Sequence, residues 1–177
     1  MGSSVFPGWL VRQATITLTD TQIKALPTAG GVGSIQVVAA PGANRILIFL
    51  SGLAILNTTA GSYMSLDGAS CVMQISYGAA GDSAATDASN FIDQNNGPSF
   101  FDAGGIVFEQ WIPIAYDDGS GSLIANGGVL GTSYANKGLK VTAFNGVTGA
   151  FTGGNAANTM TIAVQYSIYN TVTKMFE

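Results

Sequence analysis

The chain has 177 residues, 47% hydrophobic and only 9% charged, against about 25% charged in an ordinary globular domain, so one sizeable core can sit beneath a polar but almost uncharged skin. Six Lys and Arg against ten Asp and Glu give a net charge of -4, and the basic residues (Arg12, Lys24, Arg45, Lys137, Lys140, Lys174) are too scattered to neutralise a run of phosphates, which argues against nucleic acid. The lack of histidine and the single cysteine exclude Ser-His-Asp and Cys-His catalysis, His-ligated zinc and an intrachain disulfide.

Residues 1–13, MGSSVFPGWLVRQ, crowd Phe6, Pro7, Trp9, Leu10 and Val11 ahead of the first strand. Two readings fit this N-terminal arm. It is a strap across the domain's own core, or it reaches a partner subunit, where aromatic residues concentrate at contact centres. The segment lacks the basic-then-apolar order of a secretory leader, and Phe6 stands where a myristoylation motif needs Ser or Thr, so a soluble, untargeted chain is expected.

Residues 14–177 read as one all-β domain. ATITLT sets Ile16 and Leu18 against Thr15, Thr17 and Thr19, the period of a half-buried strand. In TDTQIKAL, Thr19 or Asp20 can cap a short helix that Pro27 ends. SIQVV is a further strand candidate. The unbroken apolar run RILIFLSGLAIL fits a strand buried on both faces, with Gly52 offering a bend or bulge. Its stretch from Ile46 to Leu56 falls well short of the roughly 20 residues that span a bilayer as a helix. VMQISY sets Met73, Ile75 and Tyr77 against Val72, Gln74 and Ser76, and Cys71 beside it reads as a buried thiol.

The segment from Gly78 to Gly105 is too polar and too rich in small residues for a regular core strand, and reads as one long excursion loop. Its Phe91, Ile92, Phe100 and Phe101 imply that it docks on its own sandwich or on a neighbour. IVFEQWIPI and LKVTAF are strand candidates. The alternation is clearest near the C-terminus, with Met160, Ile162, Val164, Tyr166 and Ile168 on one side of a strand. Pro41-Gly42, Asp67-Gly68, Asn96-Gly97, Asp118-Gly119, Asn126-Gly127 and Asn145-Gly146 punctuate these runs. Such pairs supply the positive φ of tight turns, so an antiparallel meander or Greek key follows.

The candidates for chemistry are weak. Asp82, Asp87, Asp93 and Asp102 fall in the long loop, but their spacing matches no standard calcium loop. In DQNNGP the glycine is out of register for an EF-hand. Glu109 stands beside Trp111, yet no second carboxylate is placed for glycoside cleavage, and it reads as an outward-facing strand residue. Asp117 and Asp118 read as turn residues. TAGGVGS and TGGNAAN lack the Lys-Ser/Thr end of a phosphate loop and read as strand connections. No catalytic, cofactor or metal residue is assigned.

Four segments in order, TITLTDTQIKALPT, APGANRILIFLSGLAILNTTAGSYM, MQISYG and TGGNAANTMTIAVQYSIY, resemble small tailed-bacteriophage proteins encoded in head gene clusters, in particular capsid decoration (cement) proteins and related head structural proteins. The resemblance implies a β-sandwich, jelly-roll-like, and a homotrimer on the capsid exterior with the major capsid protein as partner. It involves neither membrane nor nucleic acid and implies no enzymatic activity. On this reading Phe6, Trp9, Leu10, Phe91, Phe100 and Phe101 are the candidate interface residues. The rival expectation is a carbohydrate- or receptor-binding module on a fibre or tail tip, with Trp111 and Tyr116 stacking on sugar.

Overall fold

A computed structural model describes residues 10–26, 32–59, 61–64, 71–77, 89–90, 104–111, 116–117, 123–124, 135–145 and 151–177. β1 (Arg12–Thr19) buries Leu18 and exposes its threonines. Thr19 then caps helix α1 (Asp20–Ala25): the Gln22 N–H points to Thr19 Oγ1, and Gln22 Oε1 accepts from the Thr19 N–H at 3.0 Å. This reciprocal capping box satisfies donors that a helix start leaves free. Ile23 and Leu26 drop from the helix into the core.

The chain continues through β2 (Val32–Val38), β3 (Arg45–Asn57), β4 (Tyr63–Met64), β5 (Cys71–Tyr77), β6 (Ser89–Asn90) and β7 (Ile106–Trp111). It ends with β8 (Tyr116–Asp117), β9 (Leu123–Ile124), β10 (Leu139–Asn145), β11 (Thr152–Gly153), β12 (Thr159–Asn170) and β13 (Met175–Phe176). One sheet has the order β1-β12-β3-β7, with β13 beside the far end of β12; the other has the order β2-β10-β5-β6. Two-residue pairs β4 with β11 and β8 with β9 complete the strands. Among the described residues every ladder is antiparallel.

Setting the short β13 aside, the eight other described strands of the two main sheets pair first with last (β1 with β12), second with seventh (β2 with β10), third with sixth (β3 with β7) and fourth with fifth (β5 with β6). This is a long hairpin rolled up on itself. Pairing of β12 with β3 and of β10 with β5 completes the two sheets. The topology is therefore a jelly roll, two Greek keys wrapped into a sandwich, and the all-β antiparallel expectation holds.

The core lies between the sheets. Leu18, Phe49, Leu56, Met160, Ile162 and Val164 come from one side, and Val37, Ile75, Leu139 and Val141 from the other. The Tyr77 hydroxyl, in the second sheet, accepts the backbone N–H of Phe49 in the first at 3.2 Å, a buried polar tie between the two sheets. Among the described residues no helix is long and apolar enough to cross a membrane.

Four details differ from the sequence reading. β1 starts at Arg12, because Arg12 and Gln13 pair with Tyr166 and Gln165, so the last two residues of the expected arm belong to the sheet. The bulge in β3 falls at Leu50 rather than Gly52: Ser51 pairs with Gln165 and Phe49 with Tyr166, leaving Leu50 as the extra residue. A bulge reverses the parity of a strand. Leu47 and Phe49 point inward before it, and Gly52, Ala54 and Leu56 after it, whereas Ile55 remains 36% exposed. The apolar run thus reflects one core face that changes parity together with an outer face that is apolar in its own right. The excursion after Tyr77 contains β6, which returns to pair with Gln74 and Ile75. Asp117 lies on β8 opposite Leu123, not in the turn.

Candidate functional site

The outer face of the first sheet is built from alternate positions of four strands. β1 contributes Gln13, Thr15, Thr17 and Thr19; β12 contributes Thr159, Thr161, Ala163 and Gln165, in register with them. β3 adds Ser51, Leu53, Ile55 and Asn57, and β7 adds Ile106, Phe108 and Gln110. None of these side chains is charged. On the β1 side the face is polar and self-bonded: Thr17 and Thr161 hydroxyls lie 3.4 Å apart, and Ser51 Oγ donates to Gln165 Oε1 at 2.9 Å. Towards β7 it becomes apolar. Ile106 is 68% and Phe108 73% exposed, although each is a residue that gains about 1.5–3 kcal/mol when fully buried.

Between these two sides runs a trough of about 680 Å³, floored by Gly52, Leu53, Ile55 and Ala163 and walled by Phe108, Ile106, Gln110, Gln13, Ser51 and Gln165. Its lining offers hydrocarbon, amide and hydroxyl groups. None of these titrates near neutral pH, so the trough can bind by contact and hydrogen bonding but supplies no general acid or base. β7 is the last strand of its sheet among the described residues, and edges of this kind invite pairing with another chain.

Two polar clusters hold the ends of the sandwich. At one end Tyr63, fully buried, donates its hydroxyl to Asp20 Oδ1 at 2.9 Å, and Lys24 Nζ reaches Asp20 Oδ2 at 2.8 Å. Burial, and then the bond to Asp20, push the Tyr63 phenol far above its ordinary range, which favours the protonated hydroxyl that donates to Asp20. Gly154, at φ +69°, packs against this pair: a Cβ there would collide with the Tyr63 ring and lie 2.7 Å from Asp20 Oδ1. At the other end Arg45 Nε donates to Glu177 Oε2 at 2.6 Å and Asn170 Nδ2 to Glu177 Oε1 at 2.7 Å. These two bonds, Arg45 first, hold the Glu177 carboxyl below its ordinary range. Both clusters fasten elements together, and neither opens onto the trough.

Of the six residues expected at an interface, Leu10 alone lies within the described residues; Phe6, Trp9, Phe91, Phe100 and Phe101 lie outside them. Leu10 is 53% exposed, and its carbonyl accepts from Ser167 Oγ at 3.2 Å. Asp82, Asp87, Asp93, Asp102 and Asp118 also lie outside. Among the described residues no three His, Cys, Asp or Glu side chains come together as metal ligands would. Glu109 occupies the rung opposite buried Ala54, out of step with the exposed rungs of Ile106, Phe108 and Gln110.

Sequence reasoning missed Ile55, Ile106 and Phe108 as surface residues. The signal was present, because β3 and β7 carry apolar residues at both parities, which means either two buried faces or one face offered outward. No family model matches the chain, and no curated protein or solved structure shows significant similarity to it.

Proposed function

We propose that the chain is a virion structural protein of a tailed bacteriophage, a cement protein that decorates the capsid exterior and stabilises it by bridging neighbouring copies of the major capsid protein. The observation that carries this reading is the outer face of the first sheet, uncharged across four strands and apolar where it meets the edge strand. A surface without charge is brought into contact without stripping water from ions. A joint of standard size removes about 800 Å² from water on each partner. Apolar area buried at roughly 25 cal/mol per Å², repeated over many copies, resists the outward pressure of packaged DNA, and this needs no catalytic group.

Jelly rolls serve both capsids and lectins, and the segment resemblance to head proteins favours the first. In the assembled state the chain works as a homotrimer, with Phe6, Trp9 and Leu10 of the N-terminal arm contributing to attachment or to trimer contacts. Sedimentation of the purified protein with capsids assembled without it tests the reading. Binding that saturates at a fixed ratio, and that falls when residues 1–13 are deleted, is expected. Occupancy and trimer mass both unchanged by the deletion would refute the role of the arm, and no binding by the intact chain would refute the cement function.

The second reading, a sugar-binding module on a fibre or tail tip, is favoured by one feature: exposed Phe108 beside the amides of Gln110 and Gln165 could form a stacking platform with polar handles. Glycan-array binding lost on Phe108→Ala, with no capsid binding, would replace the first reading with this one.

A further inference from the structure

β12 has three neighbours on two edges. β3 runs along one edge as far as Asn170, opposite Arg45, so β1 and β13 share the other. Their registers meet at one residue. β1 keeps step with β12 from Thr19 opposite Thr159 to Arg12 opposite Tyr166 without a shift, and the same register continued brings Leu10 opposite Ile168. β13 sets Met175 opposite Asn170 and Phe176 opposite Tyr169, and its register continued brings Glu177 opposite the same Ile168.

Glu177 holds that rung. Its N–H donates to the Ile168 carbonyl at 2.9 Å. In an antiparallel ladder alternate residues turn their N–H and C=O to the same edge, so Ile168, like Tyr166, faces the edge along which β1 lies. The donor that the register of β1 would bring to the Ile168 carbonyl is the N–H of Leu10, and Glu177 stands in its place. Leu10 accordingly lies exposed outside the strand, with its carbonyl on the Ser167 hydroxyl at 3.2 Å.

β13 holds this edge against a cost. It is two residues long, and the turn that returns it passes through Lys174 at φ +61°, a left-handed backbone that a residue with a side chain disfavours. Val172 in that turn and Met175 are left exposed. The strand is fastened by the Glu177 carboxylate on Arg45 Nε and Asn170 Nδ2, and by the edge-on contact of Phe176 with Tyr169. The charge of Arg12, the first residue of β1, also acts on that carboxylate, in keeping with two segments that abut on one edge.

We infer that β13 is a displaceable strap that competes with the start of β1 for the Ile168 rung of β12, so that release of β13 lengthens β1 to Leu10 and closure of β13 expels Leu10 from the sheet. The two states exclude each other because one edge of a strand takes one neighbour at a time. The strap thereby sets the residue at which β1 begins, and the inference stands apart from the assembly proposed above.

Amide hydrogen exchange followed residue by residue by NMR tests it. In the wild-type chain the Leu10 N–H should be less protected than that of Ala14, which faces β12 within the ladder. Deleting residues 175–177 should slow exchange at Leu10 about tenfold, the effect of gaining one backbone bond. Val11 should not change, because its N–H faces away from β12. Glu177→Pro removes the contested N–H and the carboxylate while keeping the rest of the chain, so it should slow Leu10 in the same direction, and it decides the matter where the shortened chain does not fold. A Leu10 amide as protected as that of Ala14 in the wild type overturns the inference, as does one that stays fast in the folded variants. A doubled sedimentation mass of the shortened chain also overturns it, since a second copy then fills the edge.

Discussion

Replacing Tyr63 with phenylalanine removes one oxygen from a site where three elements meet. The hydroxyl donates to Asp20 Oδ1 at 2.9 Å, Tyr63 is fully buried, and Asp20 is 8% exposed. Asp20 keeps Lys24 on its other oxygen but loses the Tyr63 hydroxyl as a buried donor. Hydrogen bonds to charged groups contribute about 1.5–3 kcal/mol net, and a buried acceptor left unsatisfied costs about as much, so Tyr63→Phe should destabilise the fold by about 2 kcal/mol. For a domain of this length that is about 4–8 °C in melting temperature. The assay is a thermal melt by circular dichroism with urea titrations, run as a cycle with Asp20→Asn. The two substitutions share one bond, so their effects should be less than additive, with a coupling above about 0.5 kcal/mol. A Tyr63→Phe protein within about 0.5 kcal/mol of wild type, the range of an ordinary surface change, would show that the bond to Asp20 does not stabilise the fold.

Gly154→Ala should destabilise by at least about 2 kcal/mol, because the left-handed backbone disfavours a Cβ by about 1–2 kcal/mol and the new methyl meets the Tyr63 ring; a neutral result in urea unfolding would contradict the packing described. Glu177 has a folded-state pKa depressed by Arg45 and Asn170. Its contribution is therefore complete above the unfolded-state value and is lost as pH falls through the lower folded value. Glu177→Gln should remove this part of the acid dependence, and the carboxyl carbon shift of Glu177 followed by NMR should titrate below the ordinary glutamate range. Titration at or above that range would contradict the clasp.

Much of the fold was legible in local pattern. The threonine alternation of β1, the short helix after it and the Met160–Ile168 alternation are each contained within a dozen residues; the cap, open between Thr19 and Asp20 in the sequence, falls at Thr19. The pairing of first strand with last was not legible, because ladders such as Arg12 with Tyr166 join residues far apart in the chain and turn signals define neighbours only. β3 misled for a different reason. A bulge at Leu50 exchanges inward and outward positions, so two half-buried runs of opposite parity read as one strand buried on both sides. The same ambiguity concealed the trough, since an apolar outer face and a second buried face look identical in a one-dimensional pattern. Exposed Phe108 and Ile106 became distinguishable from core residues only when β7 took its place at the sheet edge.

The proposed role, an assembled ornament on a capsid, is open to a cryo-electron microscopy map of particles that carry the protein. Symmetric clusters of jelly-roll density on the outer surface of the head, seated over joints between capsid subunits, are the expected result. Density confined to a fibre or tail tip, or a head surface without it, would contradict the claim.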